Sequence, residues 1–323
     1  MDSSVFPALW ATLVQPLVRL LLALCFGLLI ANVVEALRWT QPLARLSAPL
    51  IRLGHLGEAA GASFSLAFFS PSAANAMLSE SHERGEMSLR ELVLANLFNS
   101  LPSYIVHLPT MLFLLWPVLG FPALVYTGLT LGAAAARTLF TVALGRLLLP
   151  PVAGICVECR LKREPVTLQR ACRTAWTRFR RRLPNLVLFT VPVYILMYVL
   201  QRYDVFRSLE TWLSAHLPWM SLMRPEALGI VLLSLAAEIG ASLSAAGSAL
   251  HMGGLTSSEV ILALLIGNVL STPMRAIRHQ FPAYAGYYKP GLALKLLVIN
   301  QLLRATTMLC VALLYWWFAV ANA

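Results

Sequence analysis

The chain has 323 residues, 59% apolar and only 12% charged, with a mean hydropathy of +0.73. Soluble domains carry about 25% charged residues, so the composition points to an integral membrane protein whose first partner is the lipid bilayer. The formal charge of +11 would suit nucleic acid, but the basic residues gather in one segment, the pattern of a cytoplasmic loop, and no nucleic-acid partner is expected.

In chain order, Leu13 to Leu37 is the first expected span, close to the roughly 20 residues a bilayer core needs. Met1-Asp2-Ser3-Ser4 ahead of it carries no cationic run, so a cleaved signal peptide is not expected. Gln41 to Gly54 mixes Leu, Ile and Pro with Arg45 and Arg52, as an amphipathic helix lying in the interface would. Asp204 to Leu222, after an expected span over Leu183 to Leu200, is its counterpart.

The following stretch is written twice. Glu58-Ala59-Ala60-Gly61 overlies Glu226-Ala227-Leu228-Gly229, Ser88-Leu89-Arg90-Glu91 overlies Thr256-Ser257-Ser258-Glu259, and Ala95 falls on Ala263 without a gap. Beyond that the order continues with small slips: Asn99 with Asn268, His107 with His279, Pro109 with Pro282, Pro122 with Pro290, Arg137 with Arg304. Two copies of one unit follow, residues 1–149 and 184–323, joined by a linker over 150–183.

Within each copy, polar residues interrupt apolar runs. Ser70-Pro71-Ser72 and Asn75 lie in one segment and Glu238, Ser242 and Ser244 in its equivalent, so neither suits a uniform lipid-facing helix. Ser88 with Glu91 and Thr256 with Glu259 each have capping-box spacing, so two helices should start at matched places. Each is expected to run about three turns before polar breakers, Asn96 and Asn99-Ser100 in one copy and Asn268 with Ser271-Thr272-Pro273 in the other. Pro122 to Leu149 and Pro290 to Phe318 close the copies as spans, each with a mid-span arginine, Arg137 or Arg304, too deep to reach water easily.

Nine Lys and Arg residues stand against Glu158 and Glu164 between Pro150 and Leu183, so residues 150–183 are expected in the cytoplasm and both termini outside. The copies would then be inverted in the membrane. The expected fold class is an all-α integral membrane protein: two inverted-topology repeats with broken or re-entrant helices and interfacial amphipathic helices. Such folds place a substrate site where broken helices meet and alternate access by rocking one repeat on the other.

The expected substrate-binding residues are Ser70, Ser72 and Asn75, then Asn96, Asn99 and Ser100 in the first copy. In the second they are Glu238, Ser242 and Ser244, then Asn268, Ser271 and Thr272. Glu238, buried in a run of Leu, Ala, Ile and Gly, is the sharpest acid, a proton carrier or cation ligand by default, with a structural ion pair to Arg137 or Arg304 as the alternative. Arg137 and Arg304 read either as ligands of an anionic substrate or, the favoured reading, as structural charges holding free carbonyls, and Asn300-Gln301 as interhelical hydrogen-bonding. Cys156 and Cys159 with Cys172 read as ordinary reduced thiols. No phosphate-binding loop, nucleophile elbow or zinc-protease motif is present. No catalytic residue, cofactor or enzymatic activity is expected, and no metal ligand set is assigned.

At Phe68-Phe69-Ser70-Pro71-Ser72-Ala73, Arg84-Gly85-Glu86-Met87-Ser88 and Asn99-Ser100-Leu101-Pro102-Ser103-Tyr104 the chain resembles the nucleoside recognition, or Gate, domain family. Its relatives include the membrane part of ferrous iron transporter B proteins, the spore maturation A and B proteins and the gate region of concentrative nucleoside transporters. In the iron transporters the first stretch reads like Gly-Cys-x-x-Pro-Ala and the second like Cys-Ser-Ala-Arg-Leu-Pro. Pro71 and Pro102 fall in place here, but Phe69-Ser70 and Asn99-Ser100 replace the cysteines. Hydroxyl and amide oxygens suit hard cations or polar organic solutes rather than Fe(II).

The expectation is therefore a multi-pass, bacterial-type inner-membrane transporter of a small polar solute or ion: a nucleoside, another polar metabolite or a metal cation. A homo-oligomer is compatible with it. The alternative is a non-transporting scaffold or assembly factor that docks a cytoplasmic partner through residues 150–183.

Overall fold

The computed structural model describes residues 9–37, 48–151, 167–203, 224–236 and 239–321, and these are all helical apart from turns. A π-helical turn, Trp10–Val14, leads into α1 (Gln15–Ala36), matching the first expected span. Of the two expected interfacial segments, the first is described only from residue 48, as the short α2 (Ala48–Leu53), while 41–47 and Asp204 to Leu222 lie outside the described residues. The first half continues with α3 (Glu58–Ala67), α4 (Pro71–Glu83), α5 (Leu89–Phe98), α6 (Ser100–Leu119) and α7 (Phe121–Leu148). After α8 (Leu168–Arg202), the second half has α9 (Pro225–Ala236), α10 (Ile239–His251), α11 (Ser257–Leu270) and α12 (Thr272–Arg275). A π-helical segment (Ala276–Gln280), α13 (Phe281–Ala285) and α14 (Pro290–Ala319) complete it.

Among the described residues three stretches are long and apolar enough to cross a membrane: Leu89–Leu119, Phe121–Leu148 and Pro290–Ala319. The first is α5 and α6 together. Asn99 between them keeps helical angles (φ −65°, ψ −4°), and its N–H still bonds Ala95 O, so the expected break is a one-residue interruption. Proline acts as a starter here. Pro71 opens α4 behind Ser70, whose Oγ accepts from Ala73 N at 3.2 Å, and Pro102 sits in the first turn of α6, where backbone donors lack intrahelical acceptors anyway. Gly120, at φ +63°, makes the corner between α6 and α7, a conformation open to glycine at little cost.

The helix α8 is longer than the expected span. It runs unbroken through residue 183, joining the basic segment to the apolar one. Ala171, Ala175 and Phe179 are buried at four-residue spacing, while Arg170, Arg173, Arg178, Arg180 and Arg181 are exposed.

The core divides into two clusters, and each draws on both halves. Phe64, Leu78, Leu92 and Phe98 of the first half pack with Ala293 and Leu296 from the start of α14. Ile230, Leu243, Leu264 and Leu265 of the second half pack with Ala123 and Tyr126 from the start of α7. Further along, α7 supplies Val142 to the first cluster, and α14 supplies Met308 and Ala312 to the second. Each long helix thus passes from one cluster to the other. Arg137 and Arg304 fall at those crossings, between Ala133 and Val142 on α7 and between Leu296 and Met308 on α14.

Candidate functional site

Among the described residues, two polar centres in the interior join the halves by hydrogen bonds, each built around one asparagine near the end of a helix. Asn96 lies three residues before the C-cap of α5, and Asn268 three residues before the C-cap of α11. Asn96 rather than Asn99 is therefore the structural counterpart of Asn268. The pairing drawn from the sequence slips because α11 has 14 residues and α5 has 10, one more turn from a matched start.

The first centre is neutral. Asn96 Nδ2 donates to Asn75 Oδ1 at 2.9 Å and to the Tyr284 hydroxyl at 3.1 Å. Its Oδ1 lies 3.3 Å from Asn300 Nδ2, which donates to it, and Tyr288 donates to Asn75 Oδ1 at 3.3 Å. The bonds run between α4 and α5 of the first half and α13 and α14 of the second, so they tie the halves together. A turn away, Asn99 Nδ2 donates to Ser63 Oγ at 2.7 Å, and Ser63 passes its proton to Ala74 O at 3.2 Å. Asn99 Oδ1, Ser65 Oγ and Ser100 Oγ are buried without a hydrogen-bond partner.

The second centre is cationic. Asn268 Nδ2 donates to the Tyr126 hydroxyl at 3.0 Å, again across the halves. Its Oδ1 accepts from Arg275 Nη2 at 2.7 Å and from Arg304 Nη2 at 3.3 Å. The Asn268 backbone carbonyl accepts from Arg275 Nη2 and Thr272 Oγ1, each at 2.9 Å, and from Ser271 Oγ at 3.2 Å. That carbonyl lies in the last turn of α11, where acceptors are left over and a cation is favoured. Arg275 opens directly onto the π-helical segment Ala276–Gln280, a local form often found at functional sites.

Arg137, 7% exposed, completes this centre from α7. Its Nε and Nη1 are buried and find no partner. Arg137 and Arg275 both lie within electrostatic reach of Arg304, and Tyr104 lies within reach of Arg137 and Arg304. The Tyr104 hydroxyl pairs with Thr130 Oγ1 at 2.5 Å. Among the described residues no carboxylate forms an ion pair with any of the three arginines.

The expected site residues divide accordingly. Asn75 and Asn96 meet in the neutral centre, and Asn268, Ser271 and Thr272 meet in the cationic one. Asn99 and Ser100 lie beside the break between α5 and α6. Ser70 is occupied as the N-cap of α4, and Ser72 is exposed on its first turn. Ser242 and Ser244 are buried in α10. Glu238 lies outside the described residues, as do Cys156 and Cys159. Tyr104, Tyr126, Tyr284 and Arg275 were missed as site residues. Nothing local marks Tyr126 and Tyr284, because they meet asparagines 142 and 188 positions away in sequence, whereas Arg275 stands only seven positions from Asn268. Among the described residues no three His, Cys, Asp or Glu side chains could hold a metal ion together. A separate depression of about 490 Å³, lined by Ser79, His82, Glu83, Lys289 and Leu292, includes no member of either centre.

No family model matches the chain, and no solved structure matches it. Two curated proteins of Methanocaldococcus jannaschii are similar along nearly their whole length. Uncharacterized protein MJ0871 is 24% identical over 284 residues, covering 88% of each chain. Uncharacterized protein MJ1556 is 24% identical over 291 residues, covering 87% of this chain and 88% of its own.

Proposed function

We propose that the protein is a secondary-type membrane transporter that moves a small polar solute by alternating access between two inverted-topology repeats. The observation that carries this reading is the pair of asparagine–tyrosine centres. Each is built from both halves, beside long apolar helices, with buried donors left unpartnered at Arg137. A membrane interior holds unpaired polar groups at a cost of several kcal/mol each, which favours a functional role for them. Groups shared across a seam are also those that a rocking motion would exchange. In this reading the protein is a multi-pass protein of a bacterial-type inner membrane, residues 150–183 face the cytoplasm, and both termini face outward. The resemblance to the Gate family belongs to the same reading, supported by Pro71 and Pro102 at the starts of α4 and α6.

The test is uptake into proteoliposomes by the purified full-length protein, with phosphate, succinate and uridine as labelled solutes. Uptake of any of them that Asn96→Leu and Asn268→Leu both abolish is the expected outcome. Absence of uptake for all three moves the weight to a scaffold. That second reading draws on the exposed arginines of α8, a continuous basic face suited to an acidic partner or lipid surface. Labelling single cysteines placed in residues 150–183 and at both termini from each side of the membrane tests the inverted arrangement; protection of the loop and termini on one common side overturns it.

A further inference from the structure

We infer that Arg137, Arg275 and Arg304 form an oxyanion site that takes the carboxylate or phosphate of the transported solute. The inference rests on the transporter reading and names the chemical class of its substrate. Three guanidinium groups from α7, α12 and α14 converge on a region whose assigned acceptors are neutral: the side-chain and backbone oxygens of Asn268. Two of those guanidiniums share the one amide oxygen. The third, Arg137, is 93% buried and leaves Nε and Nη1 unpaired. These two nitrogens point to different sides of the planar guanidinium, so each offers a separate charge-assisted donor to an oxygen of an entering anion.

Like charges held together at low dielectric repel. Among the described residues nothing negative pairs with the three arginines, and such an arrangement is stabilised when an anion enters it or water reaches it. An incoming oxyanion would neutralise the excess and supply an acceptor to an Arg137 donor. Tyr104, coupled to both Arg137 and Arg304, adds a hydroxyl beside them. The neutral centre around Asn96 has amide and phenol groups and no arginine within its hydrogen bonds. It is suited to an uncharged part of the same solute.

The experiment uses the purified full chain in detergent, followed by thermal unfolding with inorganic phosphate, succinate or uridine, for the wild type, Arg137→Gln and Arg137→Lys. Either anion is expected to raise the wild-type midpoint, with its apparent affinity falling at least tenfold in Arg137→Gln and partly restored in Arg137→Lys. Without anion, Arg137→Gln is expected to unfold no earlier than the wild type, because it removes an unpaired charge. A response to phosphate alone or to succinate alone distinguishes the two anions. The inference is overturned if Arg137→Gln lowers the anion-free midpoint while keeping the anion response, since the guanidinium is then a structural donor. It is also overturned if uridine alone stabilises the protein. Uridine uptake that neither anion inhibits would sustain the transporter while ending the anion site; phosphate or succinate binding without any uptake would do the reverse.

Discussion

The two halves begin matched helices behind the same kind of cap and differ in what they do with the carboxylates that follow. Glu91 and Glu259 both stand three residues after the hydroxyl that caps their helix. Glu259 closes a capping box, accepting from Thr256 N at 2.8 Å, while Thr256 Oγ1 accepts from Glu259 N at 3.3 Å. Glu91 does not. Ser88 Oγ accepts from Glu91 N at 3.2 Å, but the carboxylate turns away to take the Gly57 N–H at 2.9 Å, tying α5 to the start of α3. At the register that pairs Ser88 with Thr256, Gly57 falls on Pro225, which has no N–H to give. A Cβ at position 57 would also stand 2.6 Å from Glu91 Oε1. One glycine-to-proline difference thus decides whether a carboxylate serves its own helix or a neighbour. Repetition fixes where a group stands, and the partner across the fold sets its role.

The same contrast separates the two asparagine centres and gives the largest expected effect. Counted forward from the C-caps, Arg275 in the second half occupies the place of Ser103 in the first. Ser103 Oγ only bonds Asn99 O at 2.7 Å, whereas Arg275 reaches both oxygens of Asn268. Replacing Asn268 by Leu removes the side-chain acceptor of Arg304 and leaves Arg275 with the backbone carbonyl alone, and is expected to cost about 3–5 kcal/mol in detergent unfolding. Asn96→Leu strands neutral groups only and should cost about 1–3 kcal/mol. The reverse ranking would mean that the arginines are satisfied by groups other than Asn268.

Next in size is the pair of carboxylates. Glu91→Ala removes a charge-assisted bond between two helices, about 1.5–3 kcal/mol, and Glu259→Ala removes a cap on one helix, about 1 kcal/mol. A converse substitution sharpens the point: Gly57→Pro deletes the donor, and the Glu91→Ala penalty measured in that background should shrink. An unchanged penalty would show that Glu91 acts through something other than the Gly57 amide.

Much of this was legible in the sequence and some was not, for physical reasons. Cap residues act on atoms within four positions, so the starts of α5 and α11 follow from Ser88 and Thr256. Long apolar runs declare themselves by length. The proline reading needed correction: Pro71 and Pro102 were expected to break helices, but in the first turn no backbone bond is lost. The carboxylate of Glu91 could not be placed from Ser88 alone, because its acceptor role is settled by Gly57, 34 positions earlier. The asparagines stand out in the sequence as polar residues in apolar surroundings, and their tyrosine partners do not. Tyr126 and Tyr284 look like ordinary aromatic residues until the fold brings the opposite half against them.

Those tyrosines supply a smaller test. Tyr126→Phe removes the acceptor of Asn268 Nδ2, and Tyr284→Phe removes the hydroxyl bonded to Asn96. Each is expected to cost about 0.5–1.5 kcal/mol. If the seam between halves moves during transport, both should change uptake rates by more than they change anion or uridine affinity. Equal changes in rate and affinity would confine the hydroxyls to binding.

The smallest expected effect is at Arg224, where the comparison is starkest in burial. Its matched residue in the first half is Leu56, fully buried in the core, whereas the Arg224 side chain is 56% exposed. Arg224 Nε lies 3.4 Å from Glu259 Oε1, and its Nη1 donates to Gly254 O at 2.9 Å. An exposed ion pair contributes about 0.2–1 kcal/mol and is screened as the Debye length falls from about 10 Å at 0.1 M salt to about 3 Å at 1 M. Arg224→Ala should therefore cost less than about 1 kcal/mol at low salt. The remainder at 1 M salt then measures the Gly254 bond alone, since a hydrogen bond to a neutral carbonyl is screened far less than the pair. A penalty that does not fall with salt would assign Arg224 to the backbone of the α10–α11 turn and leave Glu259 to its cap. The second-half carboxylate would then be even more self-contained than its partner Glu91.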